Sequence, residues 1–220
     1  MIAALLAACL ATASVRDLPL RDFPVGDLHG QFAIILTGDG GWRRLDDQIA
    51  KRLRENGVPV AGFLVPDFFR EQKLPDEAAC ALERTIRYYQ ALWKTDRVML
   101  IGYSRGADVL PFMASRLPAD VRASIDVIAF LGLESSIDFQ YHPSWIPLYH
   151  PHGAQVSVLP EVRKLNGLNL LCVYGEKEKD TLCRQLSPAE AAIVREKGGH
   201  HFAGDYRKIA DTILAAAKKK

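Results

Sequence analysis

Neither sign of charge dominates this sequence. Its 28 basic and 26 acidic residues leave a net charge of +2, and Lys218-Lys219-Lys220 account for more than that excess. Such a balance argues against a nucleic-acid partner. A membrane-spanning run is also missing. The apolar, small-residue stretch from Met1 to Ser14 is too short to cross a bilayer as a helix. The four cysteines, Cys9, Cys80, Cys172 and Cys183, form no C-x-x-C pair and no cluster with histidine at metal-ligand spacing. No metal or cofactor is therefore expected. No G-K-[ST] follows the glycine-rich Gly38-Asp39-Gly40-Gly41, which argues against a phosphate loop. There is no internal repeat.

What remains has an ordinary globular composition, 49% hydrophobic and 25% charged over 220 residues, which suits one domain with a full core. Residues 1–14 resemble the apolar and cleavage regions of a secretory leader, and Leu6-Ala7-Ala8-Cys9 resembles a lipoprotein processing box. The expected layout is a leader at 1–14 and a single domain at 15–220. Export would put the cysteines in an oxidising compartment, with Cys9 as a lipid anchor. Cys172 reads as a core residue, and Cys80 and Cys183 as a candidate pair.

The informative stretch is Val98-Met99-Leu100-Ile101-Gly102-Tyr103-Ser104-Arg105-Gly106-Ala107-Asp108. An apolar strand pattern stops at G-x-S-x-G, and a helical pattern runs from Ala107 to Leu117. This is the nucleophile elbow, a strand–turn–helix in which a strained serine stands clear of the sheet. Gly102 and Gly106 lack the β-carbons that would collide where strand and helix meet. The following helix points its positive end at the serine.

Further strands are expected at Phe32–Leu36, Val58–Val65, Ile125–Leu133, Leu168–Tyr174 and Ala191–Glu196, with an edge segment between Val15 and Gly30. Helical spacing marks Trp42–Asn56, Asp76–Trp93 with Asp76 as its cap, and Asp205–Ala217. Alternating strands and helices predict a mainly parallel, doubly wound sheet flanked by helices, and the elbow makes the expected fold an α/β-hydrolase with a minimal cap. Glu134–Lys164 reads as an irregular loop over the site. Its His142, His150 and His152 lack ligand partners at metal spacing.

A serine nucleophile needs a base and a carboxylate to orient it. Here an acidic turn, Glu176-Lys177-Glu178-Lys179-Asp180, follows one strand, and Gly198-Gly199-His200-His201 follows the next. The order Ser, acid, His is that of α/β-hydrolases. Asp180 is the favoured acid, with Glu176 and Glu178 as competitors. The base is His200 or His201, with His200 preferred. The oxyanion hole would use backbone N–H groups of Arg105 and of the Gly38–Asp39 loop. Gly38, Gly40, Trp42 and Glu134 are expected to line the substrate site. Arg105 would attract an anionic substrate, whereas Asp39, Glu134 and Asp138 would hold an ammonium.

Three stretches carry a family likeness: Gly38-Asp39-Gly40-Gly41-Trp42 with Asp46; Gly102-Tyr103-Ser104 with Gly106 to Phe112 and Arg116-Leu117-Pro118; and Gly199-His200-His201-Phe202 with Gly204-Asp205-Tyr206. With these the sequence resembles the bacterial virulence protein VirJ and the C-terminal domain of AcvB. It departs from that pattern at Arg105, where Phe is common, and at Phe63–Phe69, which is commonly Trp-rich. The resemblance implies a periplasmic serine hydrolase with Ser104, Asp180 and one of the two histidines as its triad. It implies an aminoacyl phospholipid headgroup, lysyl-phosphatidylglycerol, as substrate. It also implies peripheral membrane contact and secretion-system proteins as partners.

Overall fold

The computed structural model describes residue 9 and residues 14–140 and 155–218. Most of the expected leader, together with His142, His150 and His152, lies outside the described residues.

Among the described residues nine strands form: β1 (Leu20–Phe23), β2 (Gln31–Leu36), β3 (Val60–Phe63), β4 (Arg97–Tyr103), β5 (Ile125–Leu131), β6 (Ser136–Ile137), β7 (Val156–Ser157), β8 (Leu170–Gly175) and β9 (Ala192–Glu196). Seven of them make one sheet in the order β1-β3-β2-β4-β5-β8-β9. β1 pairs antiparallel with β3, and the other pairings in that sheet are parallel. The central strands are continuous apolar runs because both faces are covered. Phe32, Ile34 and Leu36 of β2 enter one core, while Ala33 and Ile35 enter the other.

The helices that flank the sheet include α1 (Arg44–Arg54), α2 (Val65–Phe68), α3 (Pro75–Trp93), α4 (Arg105–Ala114), α5 (Ala119–Ala123), α6 (Leu159–Arg163) and α7 (Tyr206–Ala217). One core takes Leu82 and Ile86 of α3 and Leu110 and Met113 of α4. The other takes Ile49 and Leu53 of α1 and Ile209 and Ile213 of α7. The doubly wound sheet expected from the sequence is therefore present.

Several local expectations change. Asp76 does not cap α3, because Pro75 already occupies its first position, where a missing N–H costs nothing. The Glu77 carboxylate accepts from the Leu74 N–H at 2.7 Å instead, and Asp76 pairs with Arg116. The expected strand to Val65 ends at Phe63, and Val65–Phe68 turns into a helix. The region after Glu134 is partly ordered: β6 pairs antiparallel with β7, and α6 follows. Glu161 of α6 accepts from the Ser115 hydroxyl at 2.6 Å and from Arg116 at 2.9 Å, which ties that region to the end of the elbow helix.

The cysteines pair as Cys172–Cys183, with Cα atoms 5.6 Å apart, and Cys9–Cys80, with Cα atoms 5.5 Å apart. This corrects both the Cys80–Cys183 pairing and the reading of Cys172 as a plain core residue. Surrounding polarity was the wrong guide, since pairing depends on how close the backbones come. A sulfur joined to Cys80 cannot carry a thioether, so Cys9 in this state is not a lipid anchor. Two disulfides fit an oxidising compartment. Among the described residues, no helix is long and apolar enough to cross a membrane.

The strand–helix junction tolerates little. A β-carbon on Gly102 would lie 2.5 Å from the Gly106 carbonyl oxygen and 2.7 Å from Ala107 Cα, both backbone atoms that cannot swing aside. Gly102→Ala is expected to cost about 3 kcal/mol by overpacking. Gly26→Ala, with nothing within 4 Å, should stay near wild type. Urea denaturation of the two variants checks the contrast.

Candidate active site

β4 ends at Tyr103 and α4 begins at Arg105, which leaves Ser104 as the single hinge residue between them. Its φ of 52° and ψ of −126° are strained for a residue with a β-carbon. The strain persists because the neighbours fix both sides. The Ser104 N–H donates to the Leu131 carbonyl at 2.9 Å, and the Ser104 carbonyl accepts from Ala107 N–H at 2.7 Å and from Asp108 N–H at 3.0 Å. The side chain is half-buried at the carboxyl end of the parallel strands, where open α/β sheets bind their ligands.

β2 runs beside β4 with Leu36 opposite Gly102, so the loops that follow the two strands emerge together. A β-carbon on Gly38 would come within 3.1 Å of Ser104 Cβ. This places the glycine loop against the serine, as an oxyanion hole requires. The Arg105 N–H opens a helix and so has no acceptor within it. Asp39 follows Gly38 directly, and its carboxylate meets the Arg105 guanidinium.

His200 Nδ1 lies 2.6 Å from Glu178 Oε1. A carboxylate there accepts a hydrogen bond from Nδ1–H, which keeps the proton on Nδ1 and leaves Nε2 free to accept one. Glu178 is itself held: its other oxygen accepts from the Gly175 N–H at 2.5 Å. Burial pushes the Glu178 carboxyl up, but the bonds from His200 and Gly175 outweigh it and hold the group below the usual carboxylate range. The Glu178 bond lifts His200 above its ordinary value against the pull of burial, and the charges of Glu178, Glu134 and Asp39 add to the lift.

The carboxylate that meets His200 is thus Glu178, in place of the favoured Asp180. Asp180 lies on the same turn but is exposed. The turn decides between them, since the Glu178 N–H closes back onto the Gly175 carbonyl at 2.9 Å and directs the side chain inward. His201 goes elsewhere. It is exposed, and its Nδ1 sits 2.8 Å from the Tyr103 hydroxyl. The His200 ring lies 5.2 Å from the Tyr103 ring, beside the residue that precedes Ser104.

The remaining expected site residues divide. Glu134 is exposed close enough to act on His200 electrostatically, and its N–H donates to the buried Asp108 carboxylate at 2.7 Å. Burial raises Asp108 well above the usual carboxylate range. Gly40 is exposed and packs on the Arg43 stem. Trp42, expected to touch substrate, is used for packing instead: it stacks on Phe23 with centroids 4.5 Å apart and covers Gly62. Asp46, named above with the first stretch of family likeness, is a helix cap, accepting from the Arg43 N–H at 2.8 Å, and burial pushes its carboxyl up to about 6. Arg105 is not free to hold an anion. Its side chain is only 12% exposed and paired with both Asp39 and Asp138.

Sequence reasoning missed Gly132. Its φ is +68°, and a β-carbon there would sit 2.7 Å from His200 Cε1. The position is a floor for the imidazole. A glycine directly after the buried β5 run was the available signal.

A seven-stranded, mostly parallel sheet with an elbow serine at its centre is the α/β-hydrolase fold, and solved structures agree. MenH from S. aureus superposes with a TM-score of 0.63 at 12% identity, covering 91% of this chain and 99% of that one. An esterase domain from Rhodothermus marinus gives 0.62 at 14%, covering 91% of each. An a/b serine hydrolase without a lid from Xanthomonas campestris gives 0.55 at 16%, covering 91% and 87%. No curated protein matches the sequence. Within this fold, the model of the bacterial virulence protein (VirJ) family matches residues 30–220, and the chain belongs to that family.

Glu178→Gln should reduce hydrolysis of an activated acyl ester by about 10³–10⁴-fold, while Asp180→Asn should leave it near wild type. His200 must be neutral to accept a proton, so activity falls as pH drops through its pKa. That acid limb should lie above the ordinary 6.5 in the wild type. In the residual activity of Glu178→Gln it should move to lower pH, which a kcat/KM profile against pH will show.

Proposed function

We propose that this chain is a periplasmic serine esterase that cleaves the aminoacyl ester of a phosphatidylglycerol headgroup, with lysyl-phosphatidylglycerol as the favoured substrate. The observation that carries the enzyme reading is the 2.6 Å His200–Glu178 pair at the same edge of the sheet as a serine held at φ 52°. Ser104 Oγ attacks the ester carbonyl while His200 Nε2 takes its proton. Glu178 keeps the imidazole in the required tautomer and steadies its positive charge. The N–H groups of Asp39 and Arg105 receive the oxyanion. His200 returns the proton to the departing lipid alcohol. Water, activated by the same histidine, then releases the amino acid and restores the serine.

The charges around the site support a cationic acyl group. Asp39 and Glu134 both act on His200, whereas Arg105, the cation that would draw a bare phosphate, is neutralised by two aspartates. The lysyl ammonium would approach Glu134, since the Asp39 carboxylate is taken up by Arg105. The disulfides support the oxidising compartment, and secretion-system proteins are proposed as partners on the resemblance alone.

Purified protein should label with a fluorophosphonate, and Ser104→Ala should abolish the labelling. Wild type should release lysine from lysyl-phosphatidylglycerol vesicles faster than it cleaves neutral short-chain acyl esters. Faster cleavage of the neutral esters would leave a general carboxylesterase or thioesterase. No labelling beside a labelled control hydrolase would leave a hydrolase-like binding module for secretion substrates.

A further inference from the structure

Arg105 stands directly after the nucleophile, and its backbone N–H is one of the two expected oxyanion donors. Its side chain reaches the residue that carries the other. Arg105 Nε lies 2.5 Å from Asp39 Oδ1, and its Nη1 donates to Asp138 Oδ1 at 3.1 Å, the Asp138 carbonyl at 3.2 Å and the Gln140 carbonyl at 3.4 Å. One guanidinium thus joins the elbow, the loop after β2 and the strand end beyond β6. A planar fork with several donors can hold three such points, whereas an ammonium presents a single point charge.

The loop it reaches needs such a hold. Gly38, Gly40 and Gly41 surround Asp39, with only a Gly41 N–H to Gly38 carbonyl bond of 3.0 Å closing the turn. A chain with that many glycines has much backbone freedom to lose before its N–H group can stay aimed at one point. Asp138 anchors the far side of the guanidinium, since its side chain is only 4% exposed.

We propose that the Arg105 side chain is a positioning residue that fixes the distance between the two oxyanion donors by clamping Asp39 to the elbow. This rests on the serine-hydrolase reading above. The clamp serves charge that appears at the transition state, so its loss should lower kcat and leave KM nearly unchanged. Fluorophosphonate labelling reads the same hole without needing the natural substrate, because the phosphonyl oxygen occupies the oxyanion position.

The test compares wild type, Arg105→Gln, Arg105→Lys, Asp39→Asn and the Arg105→Gln/Asp39→Asn double variant by labelling rate and by ester kinetics. Arg105→Gln and Asp39→Asn should each slow labelling and kcat by about 10²-fold, the loss expected for one misplaced donor. The double variant should lose no more than the worse single one, since both break the same link. Arg105→Lys should recover part of the rate. A labelled wild type whose Arg105→Gln variant labels equally fast overturns the clamp alone. A rise in KM at constant kcat also overturns it and makes Arg105 a substrate contact. Losses that simply add in the double variant overturn the link. A wild type that does not label overturns the hydrolase reading and the clamp with it.

Discussion

The whole site depends on one close approach, that of the β4 end to the start of α4. Gly102 lets those two backbones touch, and Gly106 lets the start of α4 touch the end of β2 at Leu36 and Thr37, where any side chain would part them. That contact forces Ser104 into a left-handed conformation and lifts its hydroxyl out of the sheet. The stability of the surrounding layers maintains the strain. Both faces of the sheet are covered, and the strands on either side of β4 are fully buried apart from their ends.

Parallel packing converts this local strain into convergence. Every strand in the run β2-β4-β5-β8-β9 points the same way, so the loops at their carboxyl ends share one edge. β2 contributes Asp39, β4 contributes Ser104, β5 contributes Gly132 and Glu134, β8 contributes Glu178, and β9 contributes His200. Thr181 adds a brace: its hydroxyl donates to the Leu133 carbonyl at 3.0 Å and joins the acid loop to the loop beyond β5. The charged side chains then sort by partner. Arg105 is shared by two aspartates, and His200 is held by one glutamate.

Much of this was legible in the sequence. Buried parallel strands leave long apolar runs, and β4 and β5 were readable for that reason, as was the elbow at Ser104. The order serine, acid, histidine marked three loops that the parallel strands bring to one edge. What was not legible depends on direction within a turn. Glu178 and Asp180 are two residues apart, and only the closure of the turn on Gly175 shows which faces His200. The same holds for the adjacent histidines, where one meets Glu178 and the other Tyr103. Trp42 looked like a binding residue because it follows a glycine loop, but the empty space over Gly62 takes the indole. Disulfide partners were illegible because spacing along the chain says nothing of the distance across a fold.

Cys172 and Cys183 enclose the whole acidic turn, with Glu178 midway along the closed loop. The bond therefore cinches the arm that aims the imidazole, and it forms only after the two thiols have been oxidised. A chain still in its reduced form has a longer, looser tether behind Glu178, and the bonds of the turn to Gly175, Leu133 and His200 must then order that arm. Oxidation of the thiols thus shortens the tether behind the arm that meets His200.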